Sequence, residues 1–457
     1  MTTDKAFKRV VRARMAKTGE RYAAARRTLI EGATDGHHAV PTADATTPSG
    51  YRMRGGLHPE TATLANVLAN QGVVSGVTGQ PLTEAAILGI GGGLGAGYIL
   101  WEFQAEHRGK IHRGPVLTLA FRNQWQYPWI PGWTGKTLDR LGIEPDVHET
   151  GGAKAAREAL DARLDAGVPV IAWVDLQSIG IWDQPDDLAG HDGLVVVVYG
   201  RDGDGSYLVD DRGRTPFRVP PAVMAAARGR IGSFKHRIVT LRRTPGPIPA
   251  DRLRAAMRAG LEDQVDHLRS ASDSFSLPAW HKWGRLMTNE RNAKAWPRVF
   301  VDGQGLFGAL SALHESVDGQ VGPSGGHLRE LYAAALDEAA VALDAPALRD
   351  AARAWRGVAD QWEELADAAV PPDLDGAAEV VDALETRHEA VMAGESGRSR
   401  VGAAAETAWA IRDRYAEAFP LPPDRIAAIL EDLGDRLGAI YQAEVDALDM
   451  TAQAIGR

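Results

Sequence analysis

Residues 190–211 read GHDGLVVVVYGRDGDGSYLVDD, and this stretch gives the strongest indication of the fold. Its four consecutive valines predict a buried strand, because β-branched side chains favour extended backbone and a continuous apolar run fits a strand covered on both faces. The Gly-Asp-Gly segment at 203–205 predicts a hairpin turn into a second strand that ends at Asp210 and Asp211. In such a hairpin the start of one strand lies beside the end of the next. The sequence therefore predicts that His191 meets Asp210 or Asp211 at one edge of the sheet.

A carboxylate beside an imidazole fixes the tautomer of the ring and stabilises its protonated form, which is the arrangement of a general base. His191 with Asp210 or Asp211 is therefore the predicted catalytic pair. The alternative is structural: a histidine at the start of a strand beside two aspartates that form an ordinary turn. The pattern by itself leaves both interpretations open.

The order of elements predicts an α+β domain of the papain-like class over residues 49–243. Two helical runs come first, and five short segments rich in β-branched residues follow them. After residue 248 the composition changes to long Ala-, Leu-, Arg- and Glu-rich runs interrupted by prolines. This change predicts an all-α helical domain over 248–370 and a C-terminal helical extension over 373–457.

Residues 1–48 are predicted to form a basic helical arm and a linker. Apolar residues recur at roughly helical spacing among many lysines and arginines up to Gly32, and a Thr-, Ala- and Pro-rich stretch follows. Two roles fit this arm. It is either a basic helix that lies on an acidic body or a docking surface for an acidic partner such as a carrier protein.

The composition limits the classes of function. The chain has 457 residues, a net charge of −9 and no cysteine. An acidic chain does not fit a protein whose main partner is nucleic acid, since neutralising phosphates needs a basic face. The lack of cysteine excludes disulfides, thiolate metal sites and a covalent thioester. No apolar run is long enough for a membrane span, so a cytoplasmic location without membrane contact is expected.

Two motifs precede the strand pair. Residues 54–72 read RGGLHPETATLANVLANQG and residues 82–103 read LTEAAILGIGGGLGAGYILWEF. Together they resemble the N-terminal domain of the butirosin biosynthesis protein H family, aminoacyl transferases that move an acyl group from a carrier-protein thioester to an amine. Residues 274–300 and 324–340 resemble the helical domain of unknown function that follows in the same family. The resemblance implies a papain-like fold, with His58, Glu60 and Thr61 in the motif that carries the nucleophile.

The sequence departs from this family at the most reactive position, because Pro59 stands where the family has its cysteine. Proline is well tolerated at the first position of a helix, so the helix can form while thiol chemistry cannot occur. Thr61 could replace the cysteine as a nucleophile if a base reached its hydroxyl. A threonine within a helix more commonly bonds to the preceding turn.

Two further groups of residues are predicted to bind substrate. An aromatic loop could cover a pocket, although such a cluster also commonly packs two domains together. Several arginines could hold a carboxylate, phosphate or sulfate, although exposed arginines are commonly only solvated. The aromatic residues are Trp125, Tyr127 and Trp129, and the arginines are Arg52, Arg54, Arg113 and Arg122.

The leading hypothesis is a biosynthetic enzyme that activates a substrate amine, with His191 as general base and without a covalent intermediate. The substrate is a carrier-protein-bound or free compound derived from an amino acid. In one version the amine attacks a thioester; in the other it displaces a leaving group within the same molecule and closes a ring. The alternative is a non-catalytic scaffold or partner subunit of a biosynthetic complex. No cofactor and no metal site are predicted.

Overall fold

The structure, a computed structural model, describes residues 50–107, 110–123, 132–184, 188–242, 246–319 and 321–457. Side chains between 101 and 116 are outside this description. The predictions for the arm at 1–48, for the aromatic loop residues Trp125, Tyr127 and Trp129, and for the side chain of Arg113 therefore lie outside the described residues.

The first helix forms where the sequence places a good start signal. Helix α1 (Pro59–Asn70) has proline at its first turn, and the N-cap His58 accepts a hydrogen bond from the backbone N–H of Glu60. Helix α2 (Glu84–Ile90) is capped by Thr83, whose hydroxyl accepts from the N–H of Ala86. Both caps satisfy amide groups that have no partner within the helix.

A long hairpin follows α2. Strands β1 (Leu94–His107) and β2 (Lys110–Arg122) pair antiparallel, and helix α3 (Gly132–Leu141) comes after them. The sequence analysis anticipated only the second half of β2 as a strand. The glycine-rich start of β1 hid the first strand, because glycine is unfavourable in strand interiors.

A six-stranded antiparallel sheet forms the centre of the first half, in the order β3-β8-β4-β5-β6-β7. Helices α4 and α5 interrupt the strands along the chain. The elements are β3 (Pro145–His148), α4 (Ala153–Asp165), β4 (Val170–Asp175), β5 (Gly193–Arg201), β6 (Tyr207–Asp210), β7 (Phe217–Val219), α5 (Pro221–Arg230) and β8 (Ile238–Leu241).

The described part of the chain after residue 246 is helical. Short 3₁₀ turns at Gly232–Phe234, Val301–Gly303 and Gly394–Gly397 separate neighbouring elements. The helices are α6 (Ala250–Leu268), α7 (Pro278–Thr288), α8 (Trp296–Val299), α9 (Leu306–Val317), α10 (Arg329–Ala342), α11 (Leu348–Ala369), α12 (Ala377–Met392), α13 (Arg398–Arg414) and α14 (Pro423–Ala454).

Strand β5 is buried on both faces, as its four valines predict. Val195 and Val197 belong to a large core that also contains α1 and most of the helical half. Val196 and Val198 belong to a smaller core on the opposite face of the sheet. Because side chains alternate along a strand, one strand contributes to both cores.

The mixed α/β first half and the helical second half confirm the general fold class. The finer papain-like assignment stays a prediction. Among the helices within the described ranges, none is both long enough and apolar enough to cross a membrane.

Candidate functional site at the first helix

The beginning of α1 is the place where the two halves of the molecule meet. Pro59 is buried and His58 is half-buried. The loop before α10 packs directly against this point: a side chain at Gly325 would lie 2.7 Å from the carbonyl oxygen of Leu57 and 2.8 Å from the Cα of His58. Gly325 also has a positive φ of 78°, so glycine is needed there for two independent reasons.

Glu84 holds the segment that leads into α1. Its carboxylate accepts from the backbone N–H groups of Leu57 and His58, each at 2.9 Å, and from the hydroxyl of Thr61 at 2.7 Å. Thr61 is fully buried. Its hydroxyl is therefore engaged and shielded, and the geometry gives no support to the prediction of Thr61 as a nucleophile.

Two buried guanidinium groups lie beside this segment. Arg122 forms an ion pair with Glu60 in the first turn of α1 and stacks over Trp133 at 4.7 Å. Arg212 forms an ion pair with Asp211 at 2.8 Å and donates to the carbonyl of Leu57 at 2.9 Å. Each arginine thus has a carboxylate partner within the protein, which limits the positive charge available to a ligand.

His58 is neutral in this environment. Burial lowers the pKa of its imidazole well below the usual value, and the positive charges of Arg122 and Arg212 lower it further. Its Nδ1 accepts from the backbone N–H of Glu60 at 3.2 Å, which assigns the proton of the neutral ring to Nε2. His58 is therefore a hydrogen-bond donor at its outer nitrogen and a poor base.

Asp210 lies at the end of β6, and α1 and the residues before it supply its partners. The hydroxyl of Tyr51 donates to Asp210 Oδ2 at 2.9 Å, and the amide of Asn66 donates to the same oxygen at 3.4 Å. Burial raises the pKa of this carboxyl to about 7, with a smaller upward contribution from Asp211. The second oxygen, Oδ1, is buried without a hydrogen-bond partner.

The predicted contact between His191 and Asp210 is wrong. Asp210 lies opposite Val197 in the hairpin, six residues after His191, which is exposed and precedes β5. From Gly193 to Val197 alone, four residues of extended strand at about 3.3 Å each span roughly 13 Å. The prediction assumed strands of equal length, but β5 has nine residues and β6 only four. The end of β6 therefore reaches the middle of β5.

Asp211 does not meet His191 in the predicted way either. Its carboxylate accepts from the indole N–H of Trp182 at 2.8 Å and pairs with Arg212. The part of β5 that contacts the first turns of α1 is Val195, whose carbonyl accepts from the hydroxyl of Thr63 at 3.4 Å. A valine, and not a histidine, thus faces the start of α1 from this strand.

The arginines predicted to bind substrate do not form one group. Arg52 and Arg54 are exposed, whereas Arg122 is buried at the start of α1. The sequence analysis missed Arg212, which completes the site from the other side. Its position directly after two consecutive aspartates was the only available signal.

Two cavities of about 10 Å³, each enough for one water molecule, lie elsewhere in the molecule. Ala86 and Met257 line one, and Tyr207 and His236 line the other. Among the residues that the structure describes, no group of three or more His, Asp or Glu side chains is arranged to hold a metal ion.

These features define an α/β domain in which the first helix packs on an antiparallel sheet and a helical domain covers the start of that helix. Residues 58–212 match the family described as butirosin biosynthesis protein H, N-terminal, and residues 226–400 match a domain of unknown function, DUF4872. The predicted resemblance to this family, and to the helical domain of unknown function that follows it, is therefore confirmed. No curated protein matched the chain.

Proposed function

We propose that this protein acts in antibiotic biosynthesis of the butirosin type as a non-catalytic partner subunit, and that it does not accept an acyl group itself. The family match supports the biosynthetic context. One observation carries the non-catalytic part: the first position of α1, where the family motif has its cysteine, is Pro59, whose side chain has no nucleophilic group.

The charges around this position support the same conclusion. Glu60 is paired with Arg122, Asp211 with Arg212, and Glu84 is engaged by three donors. Networks of this kind stabilise a structure and leave few groups free for chemistry. The helix-first order and the antiparallel sheet favour a papain-like ancestor whose fold is retained and whose reactive groups are lost.

Activation of a substrate amine is the second candidate, and the state of His58 favours it. A neutral imidazole with its proton on Nε2 can donate a hydrogen bond to a carbonyl or to a departing anion, as neutral histidines at helix N-termini do in some enzymes. The amine nitrogen would form a bond to carbon while the leaving group departs with its electron pair. The new ammonium group would then lose its proton to water.

Intact-protein mass spectrometry with aminoacyl thioesters of N-acetylcysteamine and a primary amine tests these proposals. We expect no increase in the mass of the protein and no amide when the protein is alone. Amide formation or loss of a leaving group, with the protein mass unchanged, would instead support amine activation. A stable acyl adduct on the protein would contradict both proposals.

The variants His58→Gln and His191→Gln then separate the two candidates in any reconstituted complex that shows activity. A non-catalytic subunit predicts that both variants keep the activity of the complex within about twofold. Amine activation at α1 predicts a loss of at least about 100-fold for His58→Gln alone, in line with the loss of a positioned hydrogen-bond donor to a developing negative charge. A loss confined to His191→Gln would exclude both.

A further inference from the structure

A second cluster of buried charge lies between helices α9, α12 and α13, next to Trp182, whose ring also contacts Arg212 of the site at α1. Glu315 on α9 accepts from Arg387 on α12, and it accepts from Arg412 on α13 at 2.8 Å. The Arg387 side chain is 1% exposed and that of Arg412 is 9% exposed. Two buried guanidinium groups thus share one carboxylate, which leaves one positive charge in excess among these three side chains. Asp192 is the further acid that interacts electrostatically with Glu315.

Glu385, the other buried acid on α12, does not compensate this positive charge beside Arg387. Glu385 precedes Arg387 by two residues, and two residues turn an α-helix by about 200°. The two side chains therefore leave the helix on nearly opposite sides. On the sheet side Arg387 lies over Trp182 at 5.9 Å, and Arg212 beyond that ring is already paired with Asp211.

Several donors in this cluster have no acceptor. Arg387 Nε, Arg387 Nη1 and Arg412 Nε are buried and make no hydrogen bond. The indole nitrogen of Trp409, a residue whose ring stacks on Arg412 at 4.7 Å, is in the same condition. More than nine-tenths of buried polar groups in native proteins have a partner, so three unpaired guanidinium nitrogens in one cluster require an explanation.

We propose that this cluster, defined by Arg387, Arg412 and Glu315, binds a tetrahedral oxyanion, either phosphate or sulfate. Such an anion accepts several charge-assisted hydrogen bonds at once and offsets the positive charge of the two arginines, which burial makes costly. His388, next to Arg387 in the chain, and Trp409, whose ring stacks on Arg412, are half-buried. The proposal does not depend on whether the protein is catalytic.

Binding is tested by isothermal titration of the full chain with inorganic phosphate, inorganic sulfate and a phosphate monoester, with chloride as reference. Arg387→Met is the main variant, because it leaves Arg412 and Glu315 as a balanced pair. We expect the affinity for phosphate and sulfate to fall by at least about tenfold in this variant, since it loses the charge-assisted hydrogen bonds that Arg387 would donate to the anion. Arg425→Met removes an exposed, paired arginine of the same half and should leave the affinity unchanged.

Crystals soaked in selenate provide a test that does not need the variant to fold. We expect an anomalous peak within hydrogen-bond distance of Arg387 Nε or Nη1. Binding of the monoester but not of the inorganic ions would indicate that the ligand is the phosphate group of a larger molecule. Equal binding of the monoester and the inorganic ions would indicate that the ligand is a free ion. Ordered water alone at these nitrogens, or equal oxyanion affinity of wild type and Arg387→Met, would overturn the proposal.

Discussion

Replacing Glu444 with alanine is expected to lower the free energy of unfolding by about 3–5 kcal/mol, the range measured when one partner of a buried ion pair is removed. Glu444 lies on α14, and its carboxylate pairs with Arg329 at the start of α10 at 2.9 Å. Neither side chain is exposed at all. The alanine variant would leave a guanidinium charge in the core with no carboxylate to balance it.

The contacts around this pair explain why the effect should be large. Glu444 also accepts from the indole N–H groups of Trp280, at 3.2 Å, and Trp362, at 2.7 Å. Arg329 donates to the carbonyl oxygens of Gly95 and His327 and packs among aromatic rings. The pair thus joins β1 of the first half to helices α10 and α14 of the helical half. Its loss leaves several buried donors without an acceptor.

Urea denaturation followed by tryptophan fluorescence measures the change. Asp446→Ala is the matched control, because Asp446 lies two residues further along α14 and is exposed; it should change the stability by less than about 0.5 kcal/mol. The double variant Arg329→Met/Glu444→Met should recover part of the loss, since it removes the isolated charge. A loss below about 1 kcal/mol for Glu444→Ala would show that the pair contributes little.

Local signals in the sequence predicted much of the framework. The four valines of β5 specify a strand buried on both faces, and Pro59 specifies the start of α1. Both features depend on residues that are close together in the chain, where backbone preference and periodicity act directly. The order of helices and strands follows from the same local information.

Contacts between residues far apart in the chain could not be predicted from such local signals. The contact between His191 and Asp210 was inferred from the hairpin, but the unequal lengths of its strands moved Asp210 to the middle of β5. Arg329 and Glu444 are 115 positions apart in the chain. The residues next to each of them in the sequence give no indication that its side chain is buried. The location of the candidate site at the start of α1 was predictable from its motif. The contact of Arg212 with Leu57 and the packing of the Gly325 loop against His58 depend on the tertiary structure.

The state of Asp210 gives a second large effect, which depends on pH. Burial raises the pKa of this carboxyl in the folded protein to about 7, above the value near 3.8 of a free aspartate. The folded state therefore holds the proton more tightly than the unfolded state. The stabilising contribution is fully present below about pH 4 and is lost as the pH rises toward 7. Three pH units correspond to at most about 4 kcal/mol.

His58 complicates the direct measurement because it acts in the opposite direction. Its folded pKa is lowered, so its contribution to stability is present above about pH 6.5 and is lost as the pH falls through the folded value. The two trends oppose each other in weakly acid solution. The stability difference between wild type and Asp210→Asn removes the contribution of His58, since both proteins keep that residue.

We expect Asp210→Asn to gain about 3 kcal/mol relative to wild type between pH 5 and pH 7.5, because the amide cannot ionise. Urea denaturation at intervals of half a pH unit measures this difference. Asp204→Asn makes the same chemical change at the exposed turn of the hairpin and should give a difference that is flat with pH. A flat difference for Asp210→Asn as well would mean that Asp210 is ionised throughout. An ionised Asp210 would be available as the acid partner of an imidazole. The expected rise would instead show that Asp210 is protonated at low pH. A protonated Asp210 cannot stabilise an imidazolium ion, so that result would strengthen the non-catalytic proposal.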